Sequence, residues 1–168
     1  MDTTPAAVFI RPFQPGDEQS FRELNEAWIA AIFTIEDKDR EVLDHPVEKI
    51  LARGGHILMA VSGGRAVGCG ALLAMPDGGY EVAKMAVDES LRGQGIGRKV
   101  LMALIEHARA LGAPRLFLET NHRLRNAIHL YESCGFSHLP PERVKPSPYV
   151  RSDVSMEMLL PAGQELLR

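Results

Sequence analysis

The periodicities along the chain predict an α/β protein with a mixed central sheet flanked by helices. Three observations carry that expectation: a row of strand-like segments separated by short turn signals, a change to helical period beyond Gly97, and a further strand-like segment after that helix. Val8 to Arg11 is a short strand. Pro15-Gly16-Asp17 then turns the chain into an amphipathic helix with Phe21, Leu24, Trp28 and Ala31/Ile32 at helical spacing. Glu36 to Asp44 is rich in charge, and Pro46 to Leu51 adds a helical turn or two before Gly54-Gly55 stops it.

Three strands follow, Ile57 to Ser62, Ala66 to Met75 and Tyr80 to Val87, separated by Gly63-Gly64 and Pro76-Asp77-Gly78-Gly79. Such short turns imply an antiparallel meander. From Gly97 onward Val100, Leu101, Leu104, Ile105, Ala108 and Leu111 share one helical face, which ends at Gly112 with Pro114 beyond. Arg115 to Thr120 is again a strand. Because a helix separates it from Tyr80 to Val87, those two strands are predicted to be parallel neighbours joined by a right-handed crossover. Asn126 to Cys134 is a second helix stopped by Gly135. Tyr149 to Leu160 reads as a last antiparallel strand, whose apolar face would let it pair across a dimer as an edge strand can. Monomer and homodimer both fit.

The chain has 168 residues, 45% hydrophobic and 24% charged, which suits a single domain over residues 1–168 with its core from about Val8 to Leu160 and only the last few residues as tail. A net charge of −3, from 19 basic and 22 acidic residues, gives no basic footprint for nucleic acid. The longest purely apolar run, Ala27 to Phe33, is seven residues, against roughly 18 for a membrane span. Met1-Asp2-Thr3-Thr4-Pro5 carries an acid where a signal peptide is basic, so a cytoplasmic protein is expected. Cys69 and Cys134 are then free thiols, and small buried hydrophobes.

The most informative segment is Arg92-Gly93-Gln94-Gly95-Ile96-Gly97, between a strand and the start of a helix. Glycines there let backbone N–H groups converge on a ligand at the positive end of the helix dipole, as a pyrophosphate cradle requires. A nucleoside triphosphate loop would end Gly-Lys-Ser or Gly-Lys-Thr, whereas this one ends Gly97-Arg98-Lys99. A dinucleotide loop has a strand, loop, helix and strand, and Glu119 stands where its ribose-binding acid would. That reading fails on the Gly-x-Gly-x-Gly spacing and on the antiparallel meander upstream. A plain turn without a ligand leaves three glycines and three flanking cations at one helix start unexplained.

The segment Arg92 to Gly97 resembles the Gln/Arg-x-x-Gly-x-Gly/Ala signature of the GNAT superfamily of N-acetyltransferases, and Leu130-Tyr131-Glu132-Ser133-Cys134-Gly135-Phe136 resembles its later Leu-Tyr-x-x-x-Gly-Phe motif. Glu81 to Val87 looks like that family's central strand. The resemblance implies a GNAT-like acyl-CoA N-acyltransferase fold in which two parallel strands splay apart, here Tyr80 to Val87 and Arg115 to Thr120. It also implies acetyl-CoA as co-substrate. The pyrophosphate would lie on the N–H groups of Gly93, Gln94, Gly95, Ile96 and Gly97, and the main chain of Met85, Ala86 and Val87 would pair with the pantetheine arm. Arg92, Arg98 and Lys99 are placed either to meet phosphate charge or to be solvated, and Asn126 to contact the cofactor, cap its helix, or both.

Moving an acetyl group from a thioester to an amine requires loss of the amine proton, a held oxyanion and a proton for the thiolate. Glu81 stands at the strand position where some members of that family carry their base, Glu119 on the neighbouring strand is a second candidate, and water alone is a third. Tyr131 resembles the tyrosine that many members use as general acid to the sulfur. The oxyanion is assigned to a main-chain N–H near Met85. The six histidines show no ligand spacing, so no metal is expected, and His122 after the second splayed strand is either a loop residue or faces substrate.

The acceptor is an amine of a small molecule or peptide. From Glu36 to Asp44 five acids stand against Lys38 and Arg40, either a surface that draws a cationic amine or a solvated helix face. The rival reading is a non-catalytic acyl-CoA-binding sensor or interaction module on the same fold.

Overall fold

The computed structural model describes residues 6–161, so Met1 to Pro5 and the tail after Pro161 lie outside the described residues. Strand β1 (Val8–Pro12) leads into α1 (Glu18–Ile32), then α2 (Asp37–Leu43) and a single turn α3 (Pro46–Lys49). The meander is β2 (His56–Ser62), β3 (Arg65–Ala74) and β4 (Tyr80–Val87), followed by α4 (Ile96–Ala110). The chain closes with β5 (Arg115–Thr120), α5 (Arg125–Ser133), β6 (Ser137–His138) and β7 (Val154–Leu159). All seven strands share one sheet in the order β1-β2-β3-β4-β5-β7-β6. The mixed α/β architecture expected of the sequence is therefore present.

Helices cover both faces. The apolar stripe of α4, Val100, Leu101, Leu104, Ile105 and Ala108, packs over β2, β3 and β4, in one core with Leu58 and Ala60 of β2, Leu72 of β3 and Val82 of β4 that extends to Leu116 and Leu118 of β5 and Met156 and Met158 of β7. On the other face Phe21 and Ile29 of α1, with Val42 and Leu43 of α2, pack on Ile57, Met59 and Val61 of β2 and Cys69 and Ala71 of β3. The approach of α4 is close: a Cβ on Gly70 of β3 would stand 2.7 Å from Leu104 Cδ1 and 2.9 Å from Val100 Cγ1. Only glycine lets helix and sheet meet there.

The functional feature of the sheet is that β4 and β5 part company. They are parallel neighbours, yet pair only at Tyr80 with Leu116 and Glu81 with Phe117. Against β3, the register of β4 shifts between Cys69 and Ala71, so that Gly70 opposes both Lys84 and Met85. This bulge kinks β4 away from β5. At its centre Lys84 has φ of 55°, the one non-glycine residue with positive φ among the described residues. The left-handed conformation costs a side-chain-bearing residue about 1–2 kcal/mol.

Two expectations are corrected. The last strand is shorter than Tyr149 to Leu160, because residues 149–153 form turns that leave the sheet. Pro146 and Pro148 lack ladder donors just before this segment, and the Arg151 side chain is drawn to α2. Nor is β7 an edge: it pairs with β5 along its length and with β6 at Ser137 and His138, a two-residue strand too short to leave a pattern in the sequence. Cys69 and Cys134 are free, the first buried and the second partly exposed. No helix among the described residues is long and apolar enough to cross a membrane.

Candidate active site

The gap between β4 and β5 opens into a cavity of about 780 Å³. On its α4 side the wall is the glycine loop. Gly95 is the residue before α4 and has φ of +80°, Gly93 has φ of +82°, and a Cβ on either would meet nothing within 4 Å. The positive φ favours glycine, while the open space leaves room for a ligand on the backbone. The first N–H groups of α4 have no helical partner and point the same way. Of the loop, Arg92, Gly93, Gly95, Ile96 and Gly97 line the cavity, together with Met85, Ala86 and Val87 of β4 and Asn126 of α5.

Gln94 and Arg98 do not line it. Arg98 donates to Ser133 Oγ at 2.8 Å and lies 3.6 Å from Cys134 Sγ, so it ties α4 to the end of α5. His122 is also outside: its ring pairs with Asp153, and its N–H donates to the same carboxylate at 2.8 Å. Among the described residues no group of three or more metal-ligating side chains comes together.

Tyr131 and the two glutamates all line the cavity. The Tyr131 ring packs edge-on against Phe136, centroids 6.0 Å apart. Burial pushes its phenol up to about 12, so it is a proton donor at neutral pH. Burial also raises Glu81, to about 7, with the charge of Glu119 adding to the shift and Lys84 opposing it. Glu119 accepts from Ser147 Oγ at 2.6 Å. It also lines a second cavity of about 630 Å³ that runs along the outer face of β5 beside Phe117 and Leu139.

Sequence reading missed the cluster at the far end. Lys84, Tyr149 and Arg151 line the cavity. Asp39, 0% exposed, joins them from behind. Arg151 grips it with two hydrogen bonds, Nη1 to Oδ2 at 2.8 Å and Nη2 to Oδ1 at 2.6 Å, and reaches Glu36 Oε2 at 3.2 Å. Lys84 Nζ lies 3.5 Å from Asp39 Oδ1 and donates to Tyr149 Oη at 3.0 Å. Burial lowers Lys84, an effect that Asp39 opposes. Burial alone would raise Asp39, but the hydrogen bonds from Arg151 and the Glu36 N–H, with the Lys84 charge, hold it below the usual carboxylate range. Of the acidic run, Glu36 and Asp39 are therefore spent inside the protein on Arg151, while Glu41 pairs at the surface with Lys49 and Lys38. One signal was available, since Asp39 belongs to a capping box with Glu36 at the start of α2.

A strand, a glycine loop and a helix opening on a wedge between two diverging parallel strands define the acyl-CoA N-acyltransferase fold. Residues 18–136 match the acetyltransferase (GNAT) family, to which the chain belongs. It is 30% identical over 159 residues to a mycothiol acetyltransferase of Thermomonospora curvata, covering 87% of this chain and 50% of that protein. It is 37% identical over 122 residues to an IAA acetyltransferase of Azospirillum brasilense, covering 67% of this chain and 80% of that one. The chain thus spans about half the length of the first relative. A GNAT-family acetyltransferase from Staphylococcus aureus superposes with a TM-score of 0.83 at 19% identity, over 92% of this chain and 100% of that one. A PaiA N-acetyltransferase from Thermoplasma acidophilum, solved in complex with coenzyme A, gives 0.73 at 17% over 92% and 99%.

Removing the Asp39 charge leaves Arg151 and Lys84 buried without their counter-ion. Asp39→Asn should cost about 3–5 kcal/mol in urea unfolding, and Asp39→Leu combined with Arg151→Met should recover part of it. Because Asp39 is lowered in the folded state, its contribution is present above the unfolded carboxylate range and lost as pH falls through the folded value. The wild type should lose this increment in acid and the double variant should not.

Proposed function

We propose that the chain moves an acetyl group from acetyl-CoA to a primary amine of a small molecule or peptide, by direct transfer in a ternary complex. The observation that carries the proposal is one cavity that joins a proton acceptor poised near neutrality, a buried phenol and a row of free backbone N–H groups at a helix start. Family membership and the coenzyme A complex of the structural relative support it. The reading treats residues from about Val8 to Leu160 as one catalytic domain.

Acetyl-CoA supplies the thioester carbon and the leaving thiolate. Gly93, Gly95, Ile96 and Gly97 hold its pyrophosphate, with Arg92 adding positive charge. The main chain of Met85, Ala86 and Val87, left unpaired on the β5 side, receives the pantetheine arm as another strand would be received. Asn126 contacts it from α5. Gln94 contributes backbone only, and Arg98 holds α5 in place.

Glu81 removes the amine proton, directly or through water. An alkylamine near pKa ~10.4 is mostly protonated at neutral pH, and a carboxyl raised to about 7 is a better base than an ordinary glutamate while still about half ionised there. Burial is the main cause of that rise, and the like charge of Glu119 adds to it. Tyr131, still protonated, donates to the departing sulfur. A main-chain N–H near Met85 at the bulge holds the developing oxyanion.

Calorimetry with acetyl-CoA and thiol release across a panel of amines test the reading. Binding with turnover on at least one amine is expected; binding with none would leave an acyl-CoA sensor, and no binding would exclude both. Tyr131→Phe should keep coenzyme A affinity and slow turnover by ~10- to 1000-fold; an unchanged rate removes it from the chemistry. The rate against pH should fall as pH drops through about 7, where Glu81 gains its proton. Glu119→Gln takes away the repelling charge and should move that limb to lower pH, whereas Glu81→Gln should abolish it.

A further inference from the structure

Two buried side-chain polar atoms have no hydrogen-bond partner among the described residues, Asn25 Oδ1 and Trp28 Nε1. Both residues line the large cavity from α1. Asn25 is 0% exposed. Its orientation is set by its neighbours: Nδ2 donates to the Phe21 carbonyl at 3.0 Å and to Cys69 Sγ at 3.4 Å. Turning the amide over would set oxygen against that carbonyl, so Oδ1 is the atom left bare. Three residues apart, the two side chains share one helix face. An orphaned buried acceptor or donor is destabilising, a cost that apolar residues of similar shape would avoid.

Their position indicates which molecule they serve. The glycine loop opens α4 on one face of the sheet, while α1 covers the other. Trp28 stands edge-on to Phe33 at 6.4 Å and under the Arg151 guanidinium at 6.0 Å. Both partners line the cavity, and Arg151 belongs to the ionic cluster with Asp39 and Lys84 at the bulge. Asn25 reaches Cys69, whose Sγ lies 3.4 Å from the carbonyl of Lys84 at the bulge. The pair therefore spans from the bulge toward the acceptor end. At the same rim Arg123 lies 5.4 Å over the Phe33 ring and forms no ion pair among the described residues.

We infer that Asn25 and Trp28 select the acceptor: Asn25 Oδ1 accepts a hydrogen bond from its N–H, and Trp28 Nε1 donates to an oxygen close by on the same molecule. This rests on the acyl-transfer reading above. The acceptor class is an amine that carries a carbonyl or carboxylate oxygen a few bonds from its nitrogen, such as an amino acid, its amide or a peptide N-terminus. Arg123 supplies positive charge beside that oxygen. A plain alkylamine can still give its N–H to Asn25 but leaves Trp28 Nε1 bare and is disfavoured, because a site built to hydrogen-bond its substrate discriminates strongly against the analogue without the group.

The test compares thiol release with an amino acid, an amino amide and an alkylamine of equal length, for the wild type, Asn25→Leu and Trp28→Phe. Thermal melts and coenzyme A titrations accompany it. The wild type should favour the oxygen-bearing amines by ~100-fold or more in kcat/KM. Trp28→Phe should cut that preference by ~10-fold or more through the KM for the oxygen-bearing amines, and Asn25→Leu should raise KM by ~10-fold or more for all three amines alike, with coenzyme A affinity kept and the melting temperature unchanged or raised in both. A merely structural role would lower the melting temperature and leave both the preference and the amine KM intact. No preference in the wild type, a wild-type preference in Trp28→Phe, or an unmoved amine KM in Asn25→Leu overturns the inference while acyl transfer stands. Coenzyme A binding without turnover of any amine by the wild type overturns both. Should Asn25→Leu fail to fold, Trp28→Phe carries the comparison.

Discussion

Everything at the cavity depends on the kink at Lys84. A strand of ordinary pleat from Tyr80 to Val87 would pair with β5 along its length and leave no room between them. The bulge turns β4 aside after two paired residues, and the strain of Lys84 at φ 55° is held by what its side chain does. That ammonium is tied to Tyr149 and faces Asp39, which in turn grips Arg151. One buried ionic cluster thus joins the bulge, α2 and the segment before β7. The cluster is a poor source of net stability, since burying such charges offsets most of their attraction. Its effect is geometric: it fixes where three separate parts of the chain stand relative to the opening.

The same economy of charge governs the two glutamates. Glu81 on β4 and Glu119 on β5 belong to the two diverging strands, and burial together with their repulsion lifts one of them to about 7. A lone buried glutamate would be raised as well, but the second carboxylate, steadied by Ser147, makes the shift a property of the wedge rather than of one residue. Lys84 pulls the other way. The cluster that shapes the opening and the pair that tunes it are coupled through a single lysine.

Much of the framework was legible in the sequence because it follows from local rules. The meander follows from Gly63-Gly64 and Pro76 to Gly79, α4 from its apolar stripe, and the glycine loop from residues that meet nothing where a side chain would stand. Of the residues that line the cavity, Gly93, Gly95, Ile96, Gly97 and Tyr131 carry a local motif, and Glu81 is marked by its place on the strand. What was missed depends on long-range contacts. Arg151 meets Asp39 across 112 positions of chain, and no window of sequence contains both. Asp39 looked like one more acid in a solvated run, and Arg98 like one more cation beside a phosphate loop, until packing assigned their partners. Asn25 and Trp28 sit at ordinary core spacing on α1, and only their missing hydrogen bonds set them apart.

The two-residue contact between β4 and β5 also makes the sheet unfinished. Beyond Glu81 and Phe117 the facing edges of the two strands have backbone donors and acceptors that the other strand does not satisfy, in the middle of the fold rather than at its rim. On one side stand β1 to β4 and on the other β5, β7 and β6, two half-sheets joined by one short seam and by the α4 crossover, whose apolar stripe belongs to one core with residues of both. Any molecule lying in that wedge becomes part of the protein's own architecture, an eighth strand supplied from outside.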